Sequence, residues 1–378
     1  MMAQSPRAAL RSAANTLFVI TPVLCLLAGC GAAPESQDPV AVASADLDAT
    51  KFSGWHLLQS VTPIEASSGA AAVNIRNNGD NLDLYQIRPF DNTLGYYYGH
   101  TSNDGVDWSW SLPVNLGTPH DRGLFFTTRP SATSWIPTAT GRNGSAVAIR
   151  EYDSTGDEGN FLRQIWVKFL ISGTFTEWSM VDSGDFEEDP AMAFSYPYVY
   201  VFAPKSEAGQ VQFYFSKNDI SSGYNANGWT SWTHIPGGNL VYAGAAAALD
   251  NGRLFLAASG TNNRYYIISS TDGGAHWSNW NYVNAGPNTF TSAPALTANV
   301  AAGGNIELNI FGTQTAVNGL RLVLNSTSLD GGNTWSSYQS IGYGDLLSAP
   351  SAVASRPSRI ETFGRGTDGK IYVDNYRE

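Results

Sequence analysis

Two short stretches of this chain concentrate side chains able to grip a polar ligand or move a proton. Residues 118–130, Thr-Pro-His-Asp-Arg-Gly-Leu-Phe-Phe-Thr-Thr-Arg-Pro, gather His120, Asp121, Arg122, Phe125 and Arg129 in one run with the composition of a loop. A second run sets Glu187, Glu188 and Asp189 side by side, and Tyr242 and Phe290 add rings from two further loops. Charged and aromatic residues on loops held by a rigid scaffold are candidates for a binding site. Two carboxylates about 5–9 Å apart can also cleave a glycosidic bond, a spacing that a sequence does not give. Other chemistries lack their residues. There is no glycine-rich phosphate loop, no His-Glu-x-x-His, no cysteine cluster and no Gly-x-Ser-x-Gly elbow, and the 5 histidines are scattered. Neither a metal nor a cofactor is expected.

The elements that must position these residues are strands. With 43% apolar residues, 38 Gly and 11 Trp, the composition suits a large all-β core with many tight turns. From residue 51 onward, alternating apolar runs are punctuated by turn signals, with no helical stripe. Trp55, Trp110, Trp178, Trp232, Trp280 and Trp335 recur at intervals of roughly fifty residues, which marks an internal repeat. Most intervals hold four strand-like runs, for example GAAAALD, RLFLAAS, RYYIISS and NWNYVNA. The last supplies only three, and GWHLLQSV (54–61) is available to complete it. The prediction is a six-bladed β-propeller over residues 51–378, closed by strand 54–61 joining the C-terminal blade; a seventh blade would require splitting 118–183. First strands rich in Ala and Ser fit an innermost position, where converging strands leave no room for large side chains.

Ser270-Thr-Asp272-Gly-Gly274-Ala-His-Trp277 recurs as Ser328-Leu-Asp330-Gly-Gly332-Asn-Thr-Trp335. Gly supplies positive φ, while Ser and Asp bond the turn's own amides and the Trp re-enters the next strand. The motif resembles the Asp box of sialidases and other β-propellers. That resemblance implies turns between third and fourth strands, with Asp272 and Asp330 as turn formers. The loops carrying residues 118–130, 187–189 and 242 then lie on the opposite face. Sialidases also use an arginine cluster, a Tyr–Glu pair and an acid/base Asp, none of which can be matched here residue by residue. A second resemblance is to propeller lectins of the tectonin and Photorhabdus-lectin type. It rests on Ser348-Ala-Pro-Ser-Ala-Val-Ala and on Arg359-Ile-Glu-Thr-Phe-Gly-Arg-Gly-Thr-Asp-Gly-Lys-Ile-Tyr372, with weaker echoes at 292–298 and 189–193. It implies sugar binding in clefts between blades.

Arg7 and Arg11 precede an apolar run too short for a confident membrane span, which reads as a signal peptide over residues 1–29. Leu27-Ala-Gly-Cys30 resembles the lipobox of bacterial lipoproteins, which implies a lipid on Cys30 and, with Gly31 following, the outer membrane. Residues 30–50 then form a flexible tether. With Cys25 lost and Cys30 lipidated, no disulfide is left. Losing Arg7 and Arg11 with the leader takes the formal charge from −11 to −13, unsuited to nucleic acid or to an anionic membrane surface. Membrane contact is then through the anchor alone. Three functions remain open: a glycan-binding module without enzymatic activity, a glycoside hydrolase of sialidase type, and a scaffold for a protein partner.

Overall fold

The computed structural model describes residues 51–377 except 61, 75–79, 103–106, 120–124, 127, 136–143, 153–162, 208, 242–243, 250, 302–303, 316–318, 320, 344–345 and 357–358. Six antiparallel sheets succeed one another along the chain. Blade 1 comprises Ala71–Asn74, Asn81–Ile87, Leu94–His100 and a divided outer strand, Ser109–Trp110 and Val114–Asn115. Blade 2 comprises Ser131–Trp135, Gly144–Tyr152, Ile165–Ile171 and the short outer pieces Thr174–Phe175 and Ser179–Met180. Blade 3 is Ala191–Ser195, Tyr198–Glu207, Gln210–Asp219 and Thr233–Leu240; blade 4 is Ala245–Ala248, Leu254–Ser259, Tyr265–Ser270 and Asn281–Tyr282. Blade 5 follows with Ala295–Val300, Ile306–Thr315, Arg321–Ser328 and Gln339–Tyr343, and blade 6 with Ser351–Arg356, Arg359–Arg365 and Ile371–Arg377.

The outer strand of blade 6 is His56–Leu57, in register with Val373 and Tyr372. The ring closes as the alternation predicts, although the strand is shorter than 54–61. Gly54 takes φ +80° before it, and the chain turns back after Leu58, with Ile64 N bonded to Leu58 O. Each first strand lies against the first strands of both neighbouring blades, and blade 6 meets blade 1, so the ring of blades is closed.

Packing explains the sequence pattern. Second strands such as Asn81–Ile87 and Leu254–Ser259 are buried along their whole length because a blade covers each face; the run Leu254–Ser259 is accordingly apolar almost throughout, while Asn81–Ile87 buries Asn81, Asp83 and Gln86 among its apolar residues. Every hydrophobic cluster joins two successive blades. Phe169 and Ile165 of blade 2, for instance, pack with Val199 and Val201 of blade 3. Among the described residues, no blade has a core of its own. The innermost strands carry alanine because they surround a central channel of about 430 Å³, lined in part by Ala72, Ala132, Ala193, Ala246, Ala298 and Ala352.

Candidate functional site

Strand alternation sorts the loops between two ends of the ring. The turns after Tyr265–Ser270 and Arg321–Ser328 lie at one end and share one hydrogen-bond pattern. Ser270 Oγ donates to Asp272 Oδ1 at 2.9 Å and accepts the Gly274 amide at 2.9 Å; Ser328 does the same with Asp330 and Gly332, both at 2.8 Å. The carboxylates then take the amides of His276 and Thr334, each at 2.9 Å. Gly274 and Gly332 hold φ of +90° and +94°, which explains the glycine at that place. Trp277 and Trp335 pack on the cores shared with the preceding blades. The His276 amide, its ring and the Ser270 hydroxyl hold Asp272 down at about 2. For Asp330, burial pushes upward, but the Thr334 hydroxyl and amide, with Ser328 and the Asn333 amide, outweigh it and leave the group low. These acids are committed to their turns.

At the other end, the loops entering the first strands converge around the channel mouth. The Arg129 amide donates to Asp189 Oδ1 at 3.0 Å, its Nε stands 3.8 Å from Oδ2, and its Nη1 donates to the Pro350 carbonyl at 2.7 Å. One side chain thus ties blades 2, 3 and 6 across the mouth. Arg163 forks onto Asp185 at 2.7 and 3.0 Å, with Glu187 at 3.8 Å, and Arg150 Nη1 donates to the Phe186 carbonyl at 3.1 Å. Burial pulls Arg150 below the ordinary guanidinium range, against the opposing charges of Asp189 and Glu188. It pushes Asp189 up despite Arg129. Glu188 is raised by burial first and by the charge of Asp189 second, with Arg150 opposing.

Beside this cluster opens a recess of about 190 Å³. Glu188 and Asp189 line it from the loop before blade 3, Thr291 and Ser292 from the loop before blade 5, and Ser348 from the loop before blade 6. Thr313 and Arg321 complete its polar wall; Arg321 Nη1 donates to the Leu346 and Leu347 carbonyls, both at 2.9 Å. Hydroxyls, two carboxylates and a guanidinium in one small concavity are equipped to hydrogen-bond a hydroxylated ligand. Among the described residues, no group of three or more His, Cys, Asp or Glu side chains is placed to hold a metal ion.

No known family profile matches the sequence, and no curated protein is similar to it in sequence. Solved structures are similar in shape. A Hadza microbial sialidase matches with a TM-score of 0.59 at 12% identity, over 82% of this chain and 65% of that one. The alpha-L-arabinanase of Penicillium chrysogenum gives 0.58 at 11%, over 82% and 93%. A six-bladed fungal lectin that recognises fucose, from Aleuria aurantia, gives 0.55 at 13%, over 81% and 91%. The likeness is one of fold. This chain spans 65% of the sialidase's length, against 93% and 91% of the other two.

Of the residues singled out from the sequence, Arg129, Glu187, Glu188 and Asp189 come together in one cluster. His120, Asp121, Arg122 and Tyr242 lie outside the described residues. Phe125 lies in the strand Phe125–Phe126, which pairs with Glu151 and Tyr152 of blade 2. Phe290 is core rather than site: it is 2% exposed and stacks on Tyr265 at 4.0 Å. The sequence reading passed over Arg150, Arg163 and Arg321. Their one signal was a cation at the end of an otherwise apolar strand run, as in SAVAIRE, RQIWVKF and LRLVLNS.

Proposed function

We propose that this propeller is a carbohydrate-binding module, carried on a lipid at Cys30 and a tether at the envelope of a bacterium. The observation that carries the reading is the polar recess where the loops before blades 3, 5 and 6 meet, with Glu188 and Arg321 in its lining. Its residues suit sugar hydroxyls, and the neighbouring fold types include proteins whose names declare sugar ligands or substrates. The described chain starts beside the opposite end: Phe52 bridges Tyr376, at the finish of the third strand of blade 6, the end that in blades 4 and 5 bears the Ser-Asp turns.

One observation favours a hydrolase as the second reading. Glu188, held upward by burial, sits with Asp189 beside Arg129 and Arg150, an acid–cation grouping suited to glycosidic chemistry. Against it, Arg129, Arg150 and Arg163 each already donate to acceptors of the protein, whereas a cluster that seizes a substrate carboxylate needs its guanidinium groups unspent.

A glycan array probed with the purified protein, run beside a fluorogenic sialoside assay, tests both. Binding without turnover is the expected result. Turnover lost on changing Glu188 or Arg129 would replace the binding reading with the hydrolase, and silence in both assays would direct attention to a protein partner. Labelling with radioactive palmitate, abolished in Cys30→Ala, checks the anchor.

A further inference from the structure

Blades 2, 5 and 6 share a device in the loop that enters the innermost strand. Thr128 Oγ1 accepts the Arg150 amide at 3.3 Å, Ser292 Oγ accepts the Thr313 amide at 3.0 Å, and Ser348 Oγ accepts the Arg365 amide at 3.0 Å. The positions are equivalent. Each hydroxyl stands three residues before the start of a first strand, at Ser131, Ala295 and Ser351. Each amide stands two residues beyond the partners of those starts, Ala148, Phe311 and Phe363. The hydroxyl satisfies a backbone donor lying just past the end of the ladder.

Blade 3 breaks the device on both sides. Ala191 pairs with Phe202, so the equivalent positions are Glu188 and Pro204. Proline has no amide hydrogen, and nothing there calls for an acceptor. The loop itself keeps its place. Glu187 N donates to Pro204 O at 3.1 Å, just as Thr291 N donates to Thr313 O at 2.9 Å and Leu347 N to Arg365 O at 2.7 Å. Only the side-chain pair has changed. Position 188 is released from its structural duty and filled with a carboxylate that lines the recess, half-buried and without a hydrogen bond to its side chain among the described residues. Partial burial of an acid without such a bond costs stability. A ligand donor removes that cost.

Resting on the carbohydrate reading above, we propose that Glu188 is the ligand-contacting acceptor of one sugar site per propeller, and that the sugar it takes is uncharged. The site is single because a Glu–Pro pair stands at this register position in blade 3 alone: the equivalents of Glu188 are Ser68, Thr128, Tyr242, Ser292 and Ser348, and in blades 2, 5 and 6 the hydroxyl is spent on an amide. The sugar is uncharged because of what surrounds it. Asp189 is held by Arg129, and the neighbouring Arg150 and Arg163 donate to protein acceptors. A sugar carboxylate in the recess would face Glu188 and Asp189 with Arg321 as the single lining cation among the described residues. A neutral ring instead gives hydroxyl hydrogens to Glu188 and oxygens to Arg321.

The test is calorimetric titration of the purified full chain with methyl glycosides of neutral hexoses and with methyl sialoside, repeated on Glu188→Gln and Glu188→Ser. Serine restores the residue of blades 5 and 6, so the second variant guards against a folding defect, and thermal melts check both. The expected result is one neutral glycoside per chain, weakened at least about tenfold in both variants with the melting temperature level or raised. Several equivalent sites indifferent to Glu188 would overturn this inference and leave the carbohydrate reading standing. Sialoside preferred over every neutral glycoside would overturn the assignment of charge. No binding of any glycoside would overturn both.

Discussion

The two ends of this propeller use carboxylates in opposite ways. At one end, Asp272 and Asp330 accept amides and hydroxyls from their own turns and ionise more readily than usual, Asp272 at about 2. At the other, burial holds Glu188 and Asp189 above the usual range, and the chain supplies Glu188 with no side-chain hydrogen bond among the described residues. An acid surrounded by local donors stabilises a turn. An acid placed in a recess without them stabilises whatever brings a donor. The same residue type is structural or functional according to who satisfies it.

That contrast can be broken by exchange of substitutions. The largest effect expected is on binding. Glu188→Gln should lower sugar affinity at least about tenfold while the melting temperature stays level or rises. Next comes Asp330→Ala, which removes acceptors from the Thr334 and Asn333 amides and should cost about 1–2 kcal/mol in denaturant titration with affinity retained. Loss of binding without loss of stability would reverse the assignment.

A pH profile sharpens the comparison with buried acids of blade 6. Burial raises Glu361, beside Arg359, to about 7, and raises Asp374 to about 6. Folding therefore favours their protonated forms. Their contribution is complete below about pH 4 and is lost as pH rises through about 6 and then 7. Asp272 works the other way: its contribution is present above about pH 4 and is lost as pH falls toward 2. Stability should peak in mild acid, and Glu361→Gln should flatten the neutral limb of melting temperature against pH. The smallest effect expected is for Arg163→Ala. Its fork to the partly exposed Asp185 should contribute no more than about 1 kcal/mol, screened by salt.

Much of the ring was legible before any coordinates. Alternating runs, the Trp interval and the Ser-Asp-Gly turns are local signals, because strand faces and turn dihedrals are fixed within a few residues. The closing strand was legible in position but not in length, since Gly54 and the reversal after Leu58 confine it to His56–Leu57. The acidic run Glu187–Asp189 and Arg129 stood out by composition. That Arg129 reaches both Asp189 and Pro350 did not, because those contacts join loops of blades 2, 3 and 6. Phe290 misled for the same reason. It reads as a ring on a loop until Tyr265 is seen stacked against it.

The sequence by itself determined the strand repeat, the turn chemistry and the three-run final unit that demanded an N-terminal partner, all consequences of backbone geometry and apolar periodicity. Only the tertiary structure decided which acid has no structural task. In the chain Glu188 is one acid in a run of three and Pro204 is unremarked, and their joint meaning depends on the pairing of Ala191 with Phe202 and on the matching register in three other blades. Whether an amide needs an acceptor is settled by where the ladder ends, and that is fixed only when the strands pair.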